Sequence, residues 1–425
     1  MLAEVISIGD ELTSGQRLDT NSQWLSERLG ELGVKVMYHT TVADDLQANV
    51  RVFRQAAQRV DLVVSSGGLG PTADDLTREA LAQAAGVELA LDESSLAYIR
   101  GLFARRQRPM PERNVVQAMF PIGSRVVPNP QGTAPGIDMD LPRPDGQKCR
   151  VFALPGVPAE MREMWQATLA PTIAATAGGR LIRHRRFKCF GVGESDLEAM
   201  LPDLIRRGRE PQVGITVSGA TITLRITADG TTPDECHAKM DETIATIRDC
   251  LGELVFGEEE DELEHAITRL LIAQGKTLAT AEWGTGGMIA HRMVDFTESK
   301  GRYLGGIVAA APAALRGFLG SDAELVARHG AVSGEVAEAL ARGCRERLGA
   351  DYGLAVSDFP AYDPQAAQPH SIYYALATPA GVTVKASPYV GHSDILKVLT
   401  AKRAMNLLRL ELLGEAAAAR HRPTL

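Results

Sequence analysis

Residues 61–86 constrain the fold most tightly. The run from Asp61 through Leu-Val-Val to Ser65 is apolar and β-branched, and it reads as a buried strand. A turn follows, Ser66-Gly67-Gly68-Leu69-Gly70-Pro71-Thr72-Ala73-Asp74-Asp75. Then comes a helical pattern through Leu76, Ala80, Leu81 and Ala84 that stops at Gly86. Gly67, Gly68 and Gly70 let the backbone take positive φ and approach a ligand with no Cβ in the way. Amides at a helix start carry partial positive charge and suit a phosphate, with Thr72 in the same turn. Asp74 and Asp75 sit where that phosphate would lie, which fits a divalent metal bridging carboxylate and phosphate oxygens. The alternative is that one Asp caps the helix and the glycines only turn the chain.

The segments around this unit alternate in the same way. Ala3–Ile8 is a strand, residues 10–21 a polar loop, and Ser22–Leu32 a helix that Asn21 or Thr20 can cap. Val34–Val42 is a strand, and Asp44-Asp45 opens a helix to about Gln58. Residues 92–107 are helical, residues 126–136 rich in loop formers, Cys149–Leu154 a strand, and Ala159 to about Ala175 a helix after the turn Pro155-Gly156-Val157-Pro158. Strands alternating with helices predict a parallel sheet covered on both faces, with ligands beyond its carboxyl edge. Four loops should meet there: Asp10 and Glu11, Asp44 and Asp45, Gly67 to Asp75, and Pro155, Gly156 and Glu160. Helix capping is the competing account of Asp44-Asp45, and Arg105 to Arg108 reads as a solvated face.

Gly178-Gly179 marks a boundary, after which the order is βαββα to Cys250. Gly257 to Asp261 reads as an acidic linker, and the remainder is a second α/β domain. The expected class is therefore α/β: a three-layer parallel-sheet N-terminal domain, a small α+β middle module and a second α/β C-terminal domain. A net charge of −8 argues against a dedicated nucleic-acid binder. Five cysteines without a C-x-x-C spacing predict reduced thiols in a cytoplasm and no structural zinc. No signal peptide is visible, and no apolar run approaches the ~20 residues of a membrane span.

Gly9-Asp10-Glu11-Leu12, Asp19-Thr20-Asn21-Ser22, Ser66 to Thr77, Gly132 to Gly136 and Leu154 to Pro158 together resemble the CinA family. Its first domain is similar to molybdopterin-binding domains of the MoaB and MogA type. The resemblance implies domains at 1–177, 180–256 and 258–425, the middle one KH-like. It implies ADP-ribose pyrophosphatase activity in the first domain, needing a divalent metal (Co or Mg) with potassium. In that frame Asp10, Asp74 and Asp75 are the expected catalytic and metal-holding groups. Glu11, Asp19, Asn21, Asp44, Gly67, Gly68, Gly70, Thr72, Pro155, Gly156 and Glu160 are the expected phosphate and nucleotide contacts. The alternative is a nucleotide- or molybdopterin-type binding protein that does not hydrolyse its ligand. The middle module lacks the basic GXXG loop with which a KH domain grips nucleic acid, so a spacer or dimer role is expected. A homodimer or larger homo-oligomer acting on a small dinucleotide, with no nucleic acid and no membrane, completes the expectation.

The C-terminal domain resembles the nicotinamide mononucleotide deamidase of the same family in Thr280-Ala281-Glu282, Thr285-Gly286-Gly287, Arg328 to Ser333 and Arg347 to Asp351. Its reactive positions differ. The family's nucleophilic serine falls on Trp283 and the cysteine after it on Gly284. The family's Tyr-Ser-Asn-x-x-Lys falls on Ala310, Ala311, Pro312 and Leu315, and its Gly-Asp-Arg on Gly391, His392 and Ser393. Amide hydrolysis through an acyl-enzyme needs an activated nucleophile and an anion stabiliser, so deamidase activity is expected to be lost.

Overall fold

The computed structural model describes the chain apart from residues 144, 177, 180, 207, 296–299, 310, 312–323, 362–368, 391 and 415–425. By internal contacts it forms two compact units, residues 1–183 with 228–238, and residues 184–227 with 239–425. Among the described residues no helix is long and apolar enough to cross a membrane.

The first unit is built on a sheet of six strands. β1 (Leu2–Ile8) lies between β2 (Lys35–Val42) and β3 (Leu62–Ser66), parallel to both, and β8 (Lys148–Leu154) runs parallel beyond β3. β3 is buried at every residue, as a strand with covered faces and edges must be. Alternate side chains serve opposite faces. Val5, Leu62 and Val64 pack with Leu25, Leu29, Met161 and Trp165, from α2 (Thr20–Glu31) and the helical segment that begins with α6 (Pro158–Met164) and ends with α7 (Ala170–Thr176). Ile6, Val63 and Val151 pack with Val50, Phe53 and Leu81, from α3 (Leu46–Arg59) and α4 (Thr77–Ala85). The result is the expected three layers.

Local details differ from the expectation. Asp10–Thr13 is a one-turn helix, α1, inside the stretch read as loop. Helix α2 begins at Thr20 and is capped by Asp19, whose carboxylate accepts from the Ser22 amide at 2.9 Å, so neither Asn21 nor Thr20 is the cap. Residues 119–142 hold strands beyond the parallel set. β4 (Leu89–Leu91) pairs with β5 (Met119–Pro121), while β6 (Arg125–Val127) and β7 (Gly136–Pro142) extend the sheet antiparallel to give the order β2-β1-β3-β8-β7-β6. α5 (Glu93–Arg105) is capped by Asp92.

The second unit opens with most of β9 (Leu181–Cys189), α8 (Glu194–Ala199) and the hairpin of β10 (Gln212–Ser218) with β11 (Thr221–Gly230). α9 (Pro233–Leu251) follows. β12 (Val255–Glu258) then joins the sheet in the order β10-β11-β9-β12, so Gly257 and Glu258 end a strand where a linker was expected. Glu258 is ion-paired with Arg185 and Arg248. Phe190 and Phe256 share a core with Leu263, Ile267 and Met405 of the C-terminal α/β region, which makes one unit of the two segments. There α10 (Leu263–Gln274) leads to β13 (Leu278–Glu282), flanked by β14 (Tyr303–Val308) and β15 (Tyr352–Val356), both parallel to it. β16 (Ser371–Ala377) and β17 (Val382–Pro388) add antiparallel strands. The covering helices are α11 (Met288–Asp295), α12 (Leu325–His329), α13 (Gly334–Leu348) and α14 (Ser393–Leu413).

Candidate functional site

Register brings the functional loops of the first unit to one edge. Ser7 pairs with Ser66, Ser66 with Leu154 and Ile8 with Val42, so β1, β2, β3 and β8 end together. From β1 the chain passes to β2 on one side, and β3 lies on the other. This is the switch point at which open parallel sheets bind ligands. A cleft of about 540 Å³ lies there, lined by Glu11, Asp44, Gly67, Gly68, Gly70, Asp74, Asp75, Pro155, Gly156 and Glu160 among others. A smaller pocket of about 40 Å³ is lined by Asp19, Asn21, Ser66 and Gly156.

The glycine turn is shaped by close backbone approach. Gly67 has φ 111° and Gly68 φ 65°. A Cβ on Gly67 would meet the Ile8 carbonyl oxygen at 2.2 Å, and one on Gly68 the Thr77 hydroxyl at 2.3 Å. The carbonyls of this turn point inward: Thr77 Oγ1 donates to Gly67 O at 2.8 Å and Thr77 N to Gly68 O at 3.1 Å. Buried Arg78 donates to Leu69 O at 2.7 Å. Because a peptide's C=O and N–H point oppositely, the Gly68 and Leu69 amides face away from these partners. Among the described residues those amides donate to nothing. Two such donors side by side at a glycine turn can receive an anion.

The acidic residues separate into two roles. Asp75 belongs to the turn. Its carboxylate accepts from the Gly70 amide at 2.7 Å, from the Thr72 amide at 2.8 Å and from the Thr72 hydroxyl. It also faces Arg78, whose guanidinium burial pulls down to about 10 while Asp75 opposes the fall. Asp10, Glu11, Asp44 and Asp74 form the second group. Asp10 and Asp44 hold each other reciprocally: the Asp10 amide donates to Asp44 Oδ2 at 2.9 Å, and the Asp44 amide to Asp10 Oδ1 at 3.1 Å. Asp45 instead caps α3 through the Ala48 amide at 2.7 Å, so helix capping accounts for Asp45 and not for Asp44, which lines the cleft. Asp44 is raised above the ordinary carboxylate range by burial and by the charges of Asp10, Asp74 and Glu11. Asp74 is lowered by the Thr72 hydroxyl and its own amide. Among the described residues no three His, Cys, Asp or Glu side chains are gathered to hold a metal by themselves.

Asp44 carries a consequence for stability. Its raised folded-state value means that the folded chain binds this proton more tightly than the unfolded chain does. Stability therefore falls as pH rises through the raised value, and the deficit persists above it. Asp44→Asn keeps an acceptor for the Asp10 amide and removes the repulsion. It should raise Tm in metal-free buffer at pH 7 by about 1–3 °C and leave it unchanged near pH 3.5, below the ordinary Asp value of about 3.9. A drop in Tm at pH 7 would refute the repulsive cluster.

Asn21 and Asp19 act beside the cleft. Asn21 Nδ2 donates to Ser66 Oγ at 2.8 Å and to Gly156 O at 3.0 Å, tying the start of α2 to the two neighbouring turns. Burial pushes Asp19 up, but hydrogen bonds from Ser22 and Ser7 outweigh it and leave the carboxyl lowered. Glu160, in the first turn of α6, accepts from Asn129 Nδ2 at 2.7 Å. It leans against Gly132, where a Cβ would stand 2.1 Å from Glu160 Oε2. Among the polar side chains of the cleft, Arg17, Gln117 and Thr133 had no place in the sequence-based site. Arg17 was legible as the sole basic residue of the loop after β1.

In the second unit, Glu282 at the end of β13 is 1 % exposed and accepts from the amides of Ile289 at 2.9 Å and Ala290 at 2.7 Å. Thr285, the one hydroxyl of the turn, donates to the same carboxylate at 2.7 Å. Trp283 is buried in the core with Ala309, Val336 and Leu340. A Cβ on Gly284 would fall 2.3 Å from the Phe359 ring, which lies 5.4 Å from that of Tyr389. Ala310, Pro312, Leu315 and Gly391 lie outside the described residues, as does the side chain of Ser393; His392 is exposed.

Comparison with known proteins gives three family matches. Residues 4–175 match the "Probable molybdopterin binding domain", 184–257 the "Damage-inducible protein CinA KH domain", and 260–412 the "CinA C-terminal domain". A competence-damage inducible protein relative from Symbiobacterium thermophilum is 40% identical, with 97% of this chain and 99% of the relative covered. A CinA-like protein from Frankia casuarinae is 36% identical, with 97% of each covered. A solved structure from Thermoplasma acidophilum, described as the protein CinA with unknown function, is 36% identical. It covers 41% of this chain and 99% of its own, with a TM-score of 0.37. Identity of this order along nearly the whole length places the chain in the competence-damage inducible, CinA-like family.

Proposed function

We propose that the N-terminal domain hydrolyses the pyrophosphate of ADP-ribose or a related dinucleotide, and that the C-terminal domain is a deamidase-like fold without deamidase activity. The observation that carries the first part is the meeting of the Gly68 and Leu69 amides with Glu11, Asp44 and Asp74 at one cleft, with Asp10 held against Asp44 beside it. Those carboxylates suit a hard divalent cation such as Mg²⁺ or Co²⁺, which is commonly held by one or two carboxylates plus substrate phosphates. Their mutual repulsion marks a place that gains by receiving one. Asp10 Oδ2 accepts no hydrogen bond among the described residues and is left for the cation. When bound, the cation would neutralise phosphate charge and favour ionised water at neutral pH.

The chain's own residues do the rest. The two amides bind oxygens of one phosphate and fix it against the turn. Asp75 keeps the turn rigid from behind. Asp44, whose carboxyl is raised from its ordinary value by burial and neighbouring charges and whose Oδ1 accepts no hydrogen bond among the described residues, is the proton acceptor: as a water oxygen bonds to phosphorus, Asp44 Oδ1 takes the proton. The bond from phosphorus to the bridging oxygen breaks, giving AMP and ribose 5-phosphate.

The match to a molybdopterin binding domain supports a second reading, binding without hydrolysis. Incubation with ADP-ribose and Mg²⁺ or Co²⁺ separates the two. AMP release that EDTA abolishes is the expected result; a ligand-dependent rise in Tm with no AMP would establish binding alone.

A further inference from the structure

The cleft of the first unit has an unbalanced charge. Glu11, Asp44, Asp74, Asp75 and Glu160 line it, and Arg17 is the one cationic side chain among its described lining residues. A cation held by the acidic cluster and two turn amides can satisfy one phosphate. A second phosphate beside it would face carboxylates unless another positive group reaches it.

Arg17 is placed to do so. It lines both the larger cleft and the small pocket of Asp19 and Asn21, so it stands where the two adjoin. Its loop is held at both ends. The Arg17 amide donates to Glu11 O at 3.0 Å, Gly15 turns the chain at φ 75°, and Asp19 caps α2. The side chain beyond that anchored backbone is exposed. Although five carboxylates share the cleft, no described carboxylate lies within ion-pairing distance of its guanidinium. A planar guanidinium with a fixed fork of donors matches two phosphate oxygens in a way that a point charge does not.

We propose that Arg17 is a specificity residue that holds the second phosphate of a diphosphate ligand, so that the cleft prefers a nucleoside diphosphate group to a monophosphate. This rests on the reading of the cleft as a phosphate site and does not require hydrolysis. ADP and AMP are the probes, because they share adenosine and differ by one phosphate. Calorimetric titration in Mg²⁺ should show the full-length protein binding ADP about ten- to a hundredfold more tightly than AMP, the range expected of a charge-assisted bidentate contact. Arg17→Gln should bring ADP down to near parity with AMP and leave AMP affinity and Tm unchanged. Arg17→Lys, which keeps the charge and loses the fork, should retain part of the preference. A wild-type protein that does not prefer ADP, or an Arg17→Gln protein that keeps the preference, would overturn the proposal. Arg17-dependent ADP preference with no AMP release from ADP-ribose would sink the hydrolase reading and leave this one standing. AMP release by Arg17→Gln with an unchanged KM for ADP-ribose would do the reverse.

Discussion

Asp74→Asn should reduce AMP release from ADP-ribose by roughly a hundred- to ten-thousandfold, the scale of losing metal-assisted charge stabilisation, with Tm unchanged. The side chain is exposed, and its charge acts on Asp44 across the cleft. Asn keeps the size of the residue, but it carries no charge for a cation. Asp75→Ala should behave differently. It removes the acceptor for two amides and a hydroxyl and leaves buried Arg78 without its facing carboxylate. Loss of such partners costs about 1–3 kcal/mol, so Tm and activity should fall together. Rising Mg²⁺ should partly restore Asp74→Asn and leave Asp75→Ala unrescued. Equal Tm losses in the two variants would show that Asp74 is a turn residue as well, and unimpaired turnover by Asp74→Asn would remove it from the metal site.

That contrast could not be read from adjacent letters. The sequence pattern places the glycine turn, the strand before it and the helix after it, because apolar periodicity and Gly86 are local signals. It also brings four loops to one sheet edge, since parallel strands with short crossovers allow little else. It does not say which of two neighbouring carboxylates faces the ligand. Asp74 and Asp75, like Asp44 and Asp45, differ by one backbone step, and the local conformation decides which turns inward: Asp45 caps α3, whereas Asp75 braces the glycine turn and neither Asp74 nor Asp75 caps α4. The missed strand β7 has a similar cause. Its Asp138 interrupts an apolar pattern, but Arg125 and Arg150 hold that carboxylate through hydrogen bonds of 2.7–2.9 Å and allow it to be buried in the sheet. Such partners are distant in sequence and invisible to a periodicity argument. The linker expected at Gly257 to Asp261 likewise became a strand end because Arg185 and Arg248 neutralise Glu258.

The C-terminal domain should release no ammonia from nicotinamide mononucleotide above the buffer rate, and restoring the family's two turn residues should not rescue it. Loss of a nucleophile and its partners typically removes several powers of ten in rate. Here the turn has also been repacked around the change. Trp283 contributes to the core, so Trp283→Ser leaves a cavity on the scale of a large-to-small aromatic substitution, about 3–5 kcal/mol. Gly284→Cys places its Cβ 2.3 Å from the Phe359 ring. That ring packs on Tyr389, and the Gly284 amide is tied to Ser357 O at 3.1 Å, so neither side can yield cheaply. The double variant should lose Tm sharply and gain no activity, whereas adding Phe359→Ala should recover part of the loss contributed by Gly284→Cys. Thr285 does not offer a substitute nucleophile, because it is 2 % exposed and the Glu282 carboxylate it donates to is taken up by the two amides that open α11. Thr285→Ala should therefore change stability and not chemistry. Ammonia release by the wild-type protein that Thr285→Ala abolishes would identify Thr285 as the nucleophile and make this domain an active deamidase.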